Sequence, residues 1–141
     1  MSDLADTSRW LADRIIEIEE AVRGLPSIAV LVNSEADVRP IADALGEALL
    51  DNNIRVIPCP DGQARGREGA VRVFNVEHIK GLEFEAVFFV GVDTLAANLP
   101  DLFDKYLYVG ATRAASYLGL TCAQFLPDRV KHLEPLFVRK W

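Results

Sequence analysis

Apolar residues recur along the chain in two rhythms. Over 7–23, TSRWLADRIIEIEEAVR, Leu11, Ile15, Ile18 and Val22 fall at helical spacing, and Gly24-Leu25-Pro26 ends the segment. SIAVLVN (27–33) is a short β-branched run and predicts a buried strand. Ser34 followed by Asp37 predicts a capping box opening a second helix. The apolar face of that helix is Val38, Ile41, Ala42, Leu45, Ala48 and Leu49. Pro40 suits a first helical turn better than an interior, so the regular helix is expected to begin nearer to it than to Ser34.

The rhythm then shortens. NIRVIPC (53–59), VRVFNV (71–76), AVFFVGV (86–92) and SYLGLTCA (116–123) predict strands. PDGQARGREGA (60–70) is polar and glycine-rich, hence a loop. Asn98 and Pro100 start another helix, with Leu102, Phe103, Tyr106, Leu107 and Ala111 along one side. The tail PDRVKHLEPLFVRKW predicts a short helix and then a basic, aromatic end. Strands alternating with helices imply an α/β domain, a mostly parallel sheet covered by helices on both faces. In such sheets ligands gather at the carboxyl ends of strands, which directs attention to 75–83, 93–98 and the end of the 100–114 helix.

Composition narrows the class. With 141 residues, half of them apolar and 26% charged, the chain suits one globular domain with a real core. A formal net charge of −6 argues against a protein that grips nucleic acid through its whole surface, though not against local basic patches. Cys59 and Cys122 lack CxxC spacing, which gives no metal site or disulfide framework and fits a reducing compartment. Cys122 lies in an apolar run and is expected to be a small core residue. His78 and His132 are too few for a zinc site. The first ten residues, MSDLADTSRW, carry no apolar signal region, and no apolar run approaches a membrane span. A cytoplasmic protein without membrane contact is expected.

Two stretches carry candidate chemistry. In IKGLEFEAVFFVGVD (79–93), a glycine between charged residues precedes a buried strand, so the backbone there can approach a ligand closely. Lys80 could meet a phosphate and Glu83 could accept a hydroxyl hydrogen bond; a plain charged turn is the rival reading. In LYVGATRAASYLGLT (107–121), Arg113 closes a helix just before a strand, where an arginine alone more often complements the helix dipole.

Taken in order, the two stretches form a pair. The first resembles motif V of UvrD/Rep-type superfamily-one helicases, roughly (A/S)KGLEFdxVfl, and the second resembles their motif VI, roughly LYVAxTRAxxxLxL. SIAVLVNSEADVRPIADAL (27–45) is similar to the segment preceding motif V. The resemblance covers about 25–123, with 1–24 as an N-terminal helix packed on that unit and 124–141 as a tail. It implies a RecA-like domain of the P-loop-NTPase type, the C-terminal partner of a nucleotide-binding N-terminal RecA-like domain, with ATP and Mg2+ between the two in the complete enzyme. By the resemblance Arg113 contacts the γ-phosphate, Glu83 is associated with the ribose, and Gly81 belongs to the same ATP-facing turn. Lys80 and Thr112 couple the nucleotide site to the strand track, and Asn75 stands where the family has a threonine touching the DNA backbone.

Departures from the family pattern set limits. Glu77 stands where a histidine is usual, with His78 out of register, and a carboxylate opposite a phosphodiester is repulsive. Where UvrD-type enzymes carry a large insertion, only the short stretch between residues 58 and 71 occurs, which points to a compact, RecD-like variant. Arg65, Arg67 and Arg72 either form a phosphate-facing patch there or keep the surface soluble. No GxxxxGK(S/T) occurs, nothing reads as a Walker B pair, and motif IV would lie upstream of residue 7. VFFVGVD, ending at Asp93, imitates a Walker B strand only superficially. Half of an ATPase site is therefore expected, with no tightly bound cofactor and no activity alone. Two functions remain: the C-terminal domain of an ATP-dependent DNA helicase that also forms part of a single-stranded DNA track, or a free-standing, non-catalytic helicase-like module acting as a binding or regulatory partner. Phe74, Tyr108 and Trp10 could stack on bases, but their periodicity places them in the core first.

Overall fold

In the computed structural model, residues 4–60, 70–79, 81–122 and Pro135 are described. The first helical rhythm is realised as α1 (Leu4–Val22), whose inward stripe is Leu11, Ala12, Ile15 and Ile18. The β-branched run forms β1 (Ile28–Val32), with every residue buried, as expected of a strand covered on both faces. A 3-10 turn (Glu35–Asp37) leads into α2 (Val38–Ala48). The helix thus starts close to Pro40, which occupies its first turn.

The capping box does not form. Ser34 precedes the 3-10 turn in an extended conformation, and its side chain makes no capping hydrogen bond. Its carbonyl accepts from the Asp37 N–H instead, so the turn is closed by backbone. Ala48 also departs from expectation and is exposed, while Val38, Ile41, Ala42, Leu45 and Leu49 are buried as predicted.

The remaining elements are β2 (Arg55–Pro58), β3 (Ala70–Asn75), β4 (Phe84–Phe89), α3 (Val92–Asn98), α4 (Phe103–Ala111) and β5 (Ala114–Leu120). The predicted strand over 86–92 both starts and ends earlier than expected, and its last residue becomes the first of a short helix that periodicity did not reveal. The chain turns there because the Gly91 N–H donates to Thr121 Oγ1 and its carbonyl accepts from Asn33 Nδ2. Of the predicted loop at 60–70, Ala70 instead opens β3 and 61–69 lie outside the described residues, as does the predicted helix in the tail apart from Pro135.

Among the described residues the strands form one sheet in the order β2-β3-β1-β4-β5, every pair parallel. Successive strand side chains point to opposite faces, and this divides the core. Val30, Val32, Val71, Val73, Ala86 and Phe88 pack with α1 and α2 on one face. Leu31, Phe74, Val87 and Phe89 pack with Leu95 of α3 and Phe103 of α4 on the other. Trp10 of α1 meets Phe88 edge-on, with ring centroids 5.9 Å apart.

On the second face α4 lies unusually close to the sheet, and Gly110 is the reason. A Cβ at that position would lie 2.7 Å from the Phe89 ring and 3.1 Å from Leu31. The missing side chain lets the end of α4 settle onto β4, which fixes where the residues after it emerge.

Candidate functional site

Strand direction decides which candidate residues can meet. β3 and β4 both run parallel to β1, so the carboxyl end of β3 and the amino end of β4 lie on opposite edges of the sheet. The connection over 76–83 therefore crosses from one edge to the other. The expectation that all of 75–83 would gather at the carboxyl ends is corrected by this geometry. Asn75 and the following turn stay at the carboxyl edge, whereas Gly81 and Glu83 arrive at the amino edge immediately before Phe84.

The end of α4 reaches the same amino edge, again contrary to the expected carboxyl one. Phe84 pairs in register with Ala114, and the Phe84 N–H donates to the Arg113 carbonyl at 2.8 Å. That bond places Glu83 and Arg113 on adjacent strands, each one residue outside a paired position. The Arg113 side chain is half-buried, and its Nε donates to the Val109 carbonyl at 3.2 Å, within the last turn of its own helix. This contact complements the helix terminus and holds one side of the guanidinium. Thr112 is exposed, and its hydroxyl donates to the Tyr108 carbonyl at 2.8 Å, satisfying another of the carbonyls that a helix end leaves over.

Glu83 is exposed beside this turn. Gly81 has φ of +87°, a conformation that side-chain-bearing residues rarely adopt. A Cβ there would meet nothing within 4 Å, so the glycine serves the turn itself and keeps the surface above it open. Lys80 lies outside the described residues.

The carboxyl edge is built differently. Asn75 is only 4% exposed, and its Oδ1 accepts from the Glu77 N–H at 3.1 Å, capping the 3-10 turn Val76–His78. Its Nδ2 donates to Glu35 Oε2 at 3.3 Å. His78 Nε2 approaches the same carboxylate oxygen at 3.6 Å, an ion-pair distance when the ring is protonated. Glu77 in turn accepts from the Tyr106 hydroxyl of α4 at 3.1 Å. Desolvation, and then the bonded Glu77 carboxylate, raise the Tyr106 phenol above its ordinary value. The candidate stacking aromatics separate as well. Phe74 is fully buried and Trp10 half-buried, but Tyr108 is 70% exposed, so its periodicity misplaced it.

Cys122, expected in the core, is half-buried beside Asp93. Desolvation and the Asp93 carboxylate push its thiol up to about 11, against the lowering effect of the Asp93 backbone N–H. Among the described residues no group of three or more His, Cys, Asp or Glu side chains could hold a metal ion, and no helix is long and apolar enough to cross a membrane.

Residues 70–121, which contain both edges, match the family model of the UvrD-like helicase C-terminal domain. The match runs from β3 through the crossing segment to the end of β5, the part of the chain that carries the paired turns. Over this region the chain is similar to the UvrD-like helicase C-terminal domain. A solved relative of the fold is the C-terminal domain of a possible DNA helicase from Lactobacillus plantarum WCFS1, 23% identical with a TM-score of 0.60, the alignment covering 85% of this chain and 71% of that one. No curated protein matches the chain. The parallel, doubly covered sheet is that of an α/β RecA-like domain.

Proposed function

We propose that this chain is the C-terminal half of an ATP-dependent DNA helicase or translocase, completing a nucleotide site whose phosphate loop belongs to an N-terminal RecA-like domain. The observation that supports this best is the Phe84–Arg113 backbone bond, which brings Glu83 and Arg113 onto one sheet edge. In this reading Arg113 faces the γ-phosphate of ATP held on the partner half. Its Nε stays on the Val109 carbonyl while the far side of the guanidinium fork meets charge that develops on the transferring phosphoryl group. Glu83 accepts a hydrogen bond from the ribose, and the open turn at Gly81 lets the nucleotide approach the backbone. Thr112 fixes the helix end that carries Arg113, and Lys80 couples this edge to the strand track. Mg2+ would travel with the nucleotide held on the partner half.

The test is DNA-stimulated ATP turnover by the complete enzyme. Arg113→Ala should reduce it by roughly 10³-fold or more while the melting temperature stays put; unchanged turnover would remove Arg113 from the mechanism.

A second reading has one observation in its favour. Glu35 and Glu77 crowd the edge where Asn75 would touch a DNA strand, as in a module that kept the fold and became a non-catalytic partner. An immunoblot of source cells separates the two. A band well above the size of this chain favours the helicase, and a band at that size favours the free-standing module.

A further inference from the structure

We infer that Glu35 occupies a phosphate position of this domain, holding with its own carboxylate the donors that a backbone phosphate of single-stranded DNA would use. The inference rests on the reading above, in which a DNA strand passes the carboxyl edge. Three elements converge on one oxygen there. Asn75 Nδ2, at the end of β3, donates to Glu35 Oε2 at 3.3 Å. His78 Nε2, in the turn after it, stands 3.6 Å from the same atom. Glu35 itself comes from the turn after β1, 40 residues earlier in the chain than Asn75.

The Asn75 donor is fixed and the acceptor is not. Asn75 is 4% exposed, and its Oδ1 is committed to the Glu77 N–H, so the amide can present only its Nδ2 outward. The Glu35 side chain is 41% exposed and sits on a one-turn 3-10 segment. An exposed contact of this kind is weakly held. A phosphodiester oxygen carries the same charge as the carboxylate and accepts from the same donors. Exchange therefore needs Glu35 to give up its present contacts and swing into solvent, with β3 and its cap left in place. While Glu35 stays, its charge and that of Glu77 repel the strand, and the chain binds DNA poorly.

The experiment uses the full chain and a fluorescein-labelled oligodeoxythymidylate, read by anisotropy across a salt series. Glu35→Ala should tighten binding about tenfold, and Glu35→Gln, which removes the charge but can still cover Asn75, by a smaller factor. Adding Asn75→Ala to Glu35→Ala should return the affinity toward the parent. Equal affinity in parent and Glu35→Ala would overturn the inference. So would a gain that survives undiminished in the double variant, since that would be a general charge effect. Glu35 is remote from Arg113 along the strands, so a null result here leaves the ATPase test intact. An ATPase indifferent to Arg113 would sink the helicase reading without altering the binding comparison.

Discussion

The candidate residues at the two edges of this sheet satisfy their side chains in different ways. At the amino edge the side chains of Thr112 and Arg113 turn back to carbonyls of their own helix, and Glu83 and Gly81 are exposed beside them. At the carboxyl edge the bonds run between elements: Asn75 to Glu35, Tyr106 to Glu77, Asn33 to Gly91 and Gly91 to Thr121. The first edge is locally stable yet keeps a cation and a carboxylate available to something outside the domain. The second is knitted shut by its own side chains. A family resemblance treats the residues of both edges as one functional inventory, but the physical states of the two differ.

The comparison breaks most visibly at the level of turnover. In the complete enzyme Arg113→Ala should lower ATP hydrolysis by roughly three orders of magnitude, while Tyr106→Phe, at the opposite edge, should leave it within about twofold. A Tyr106→Phe defect as large as that of Arg113→Ala would mean that the edges act as one site.

The scaffold between them is the next largest lever. Phe88→Ala removes a fully buried ring that meets Trp10, and should cost about 3–5 kcal/mol by urea denaturation. Gly110→Ala tests the seat of α4 more finely. Its new methyl would press on the Phe89 ring, with an expected loss of about 1–3 kcal/mol. If Gly110→Ala were instead neutral, the close approach of α4 would have no part in positioning Arg113.

At the turn before β4 the effect should be smaller and of another origin. Gly81→Ala meets no neighbour, so its cost is the backbone strain of a side chain at φ +87°, about 1–2 kcal/mol. Denaturation of Gly81→Ala alongside Gly110→Ala separates strain from overpacking.

The mildest test concerns Cys122. Its folded thiol titrates near 11 against a usual value of 9.0. The folded state therefore keeps a proton that the unfolded state gives up, so this contribution to stability is intact below pH 9 and lost as pH rises toward 11. Alkylation by iodoacetamide at pH 8–9 should be slower at Cys122 than for a free thiol, with the midpoint of its pH profile displaced upward toward 11. A midpoint at the free-thiol value would show that Asp93 and burial do not govern the group.

Much of this architecture was legible because its signals are local. Five consecutive buried residues in β1 could only be read as an inner strand, and Leu11, Ile15 and Ile18 mark a helix face by spacing alone. α3 escaped because its seven residues span barely two turns and follow the apolar run of β4 without a polar break. Ser34 and Asp37 have the residue types of a capping box, but the intervening 3-10 turn takes the geometry elsewhere. Tyr108 was placed inward, but five residues after the buried Phe103 it falls on the side of α4 turned away from the sheet and is exposed.

The order of residues determined most of the elements, the doubly covered parallel sheet and the pair of motifs that resemble those of UvrD-type helicases. Periodicity and short motifs act over a few residues, and neighbouring residues stay neighbours in any fold. Only the tertiary structure decided that Asn75 and Glu83, eight positions apart in sequence, stand on opposite edges, while Glu83 and Arg113, thirty apart, stand side by side. It also brought Glu35 to Asn75 across 40 residues. Those outcomes depend on strand direction and pairing, which arise when distant segments bury their apolar faces together.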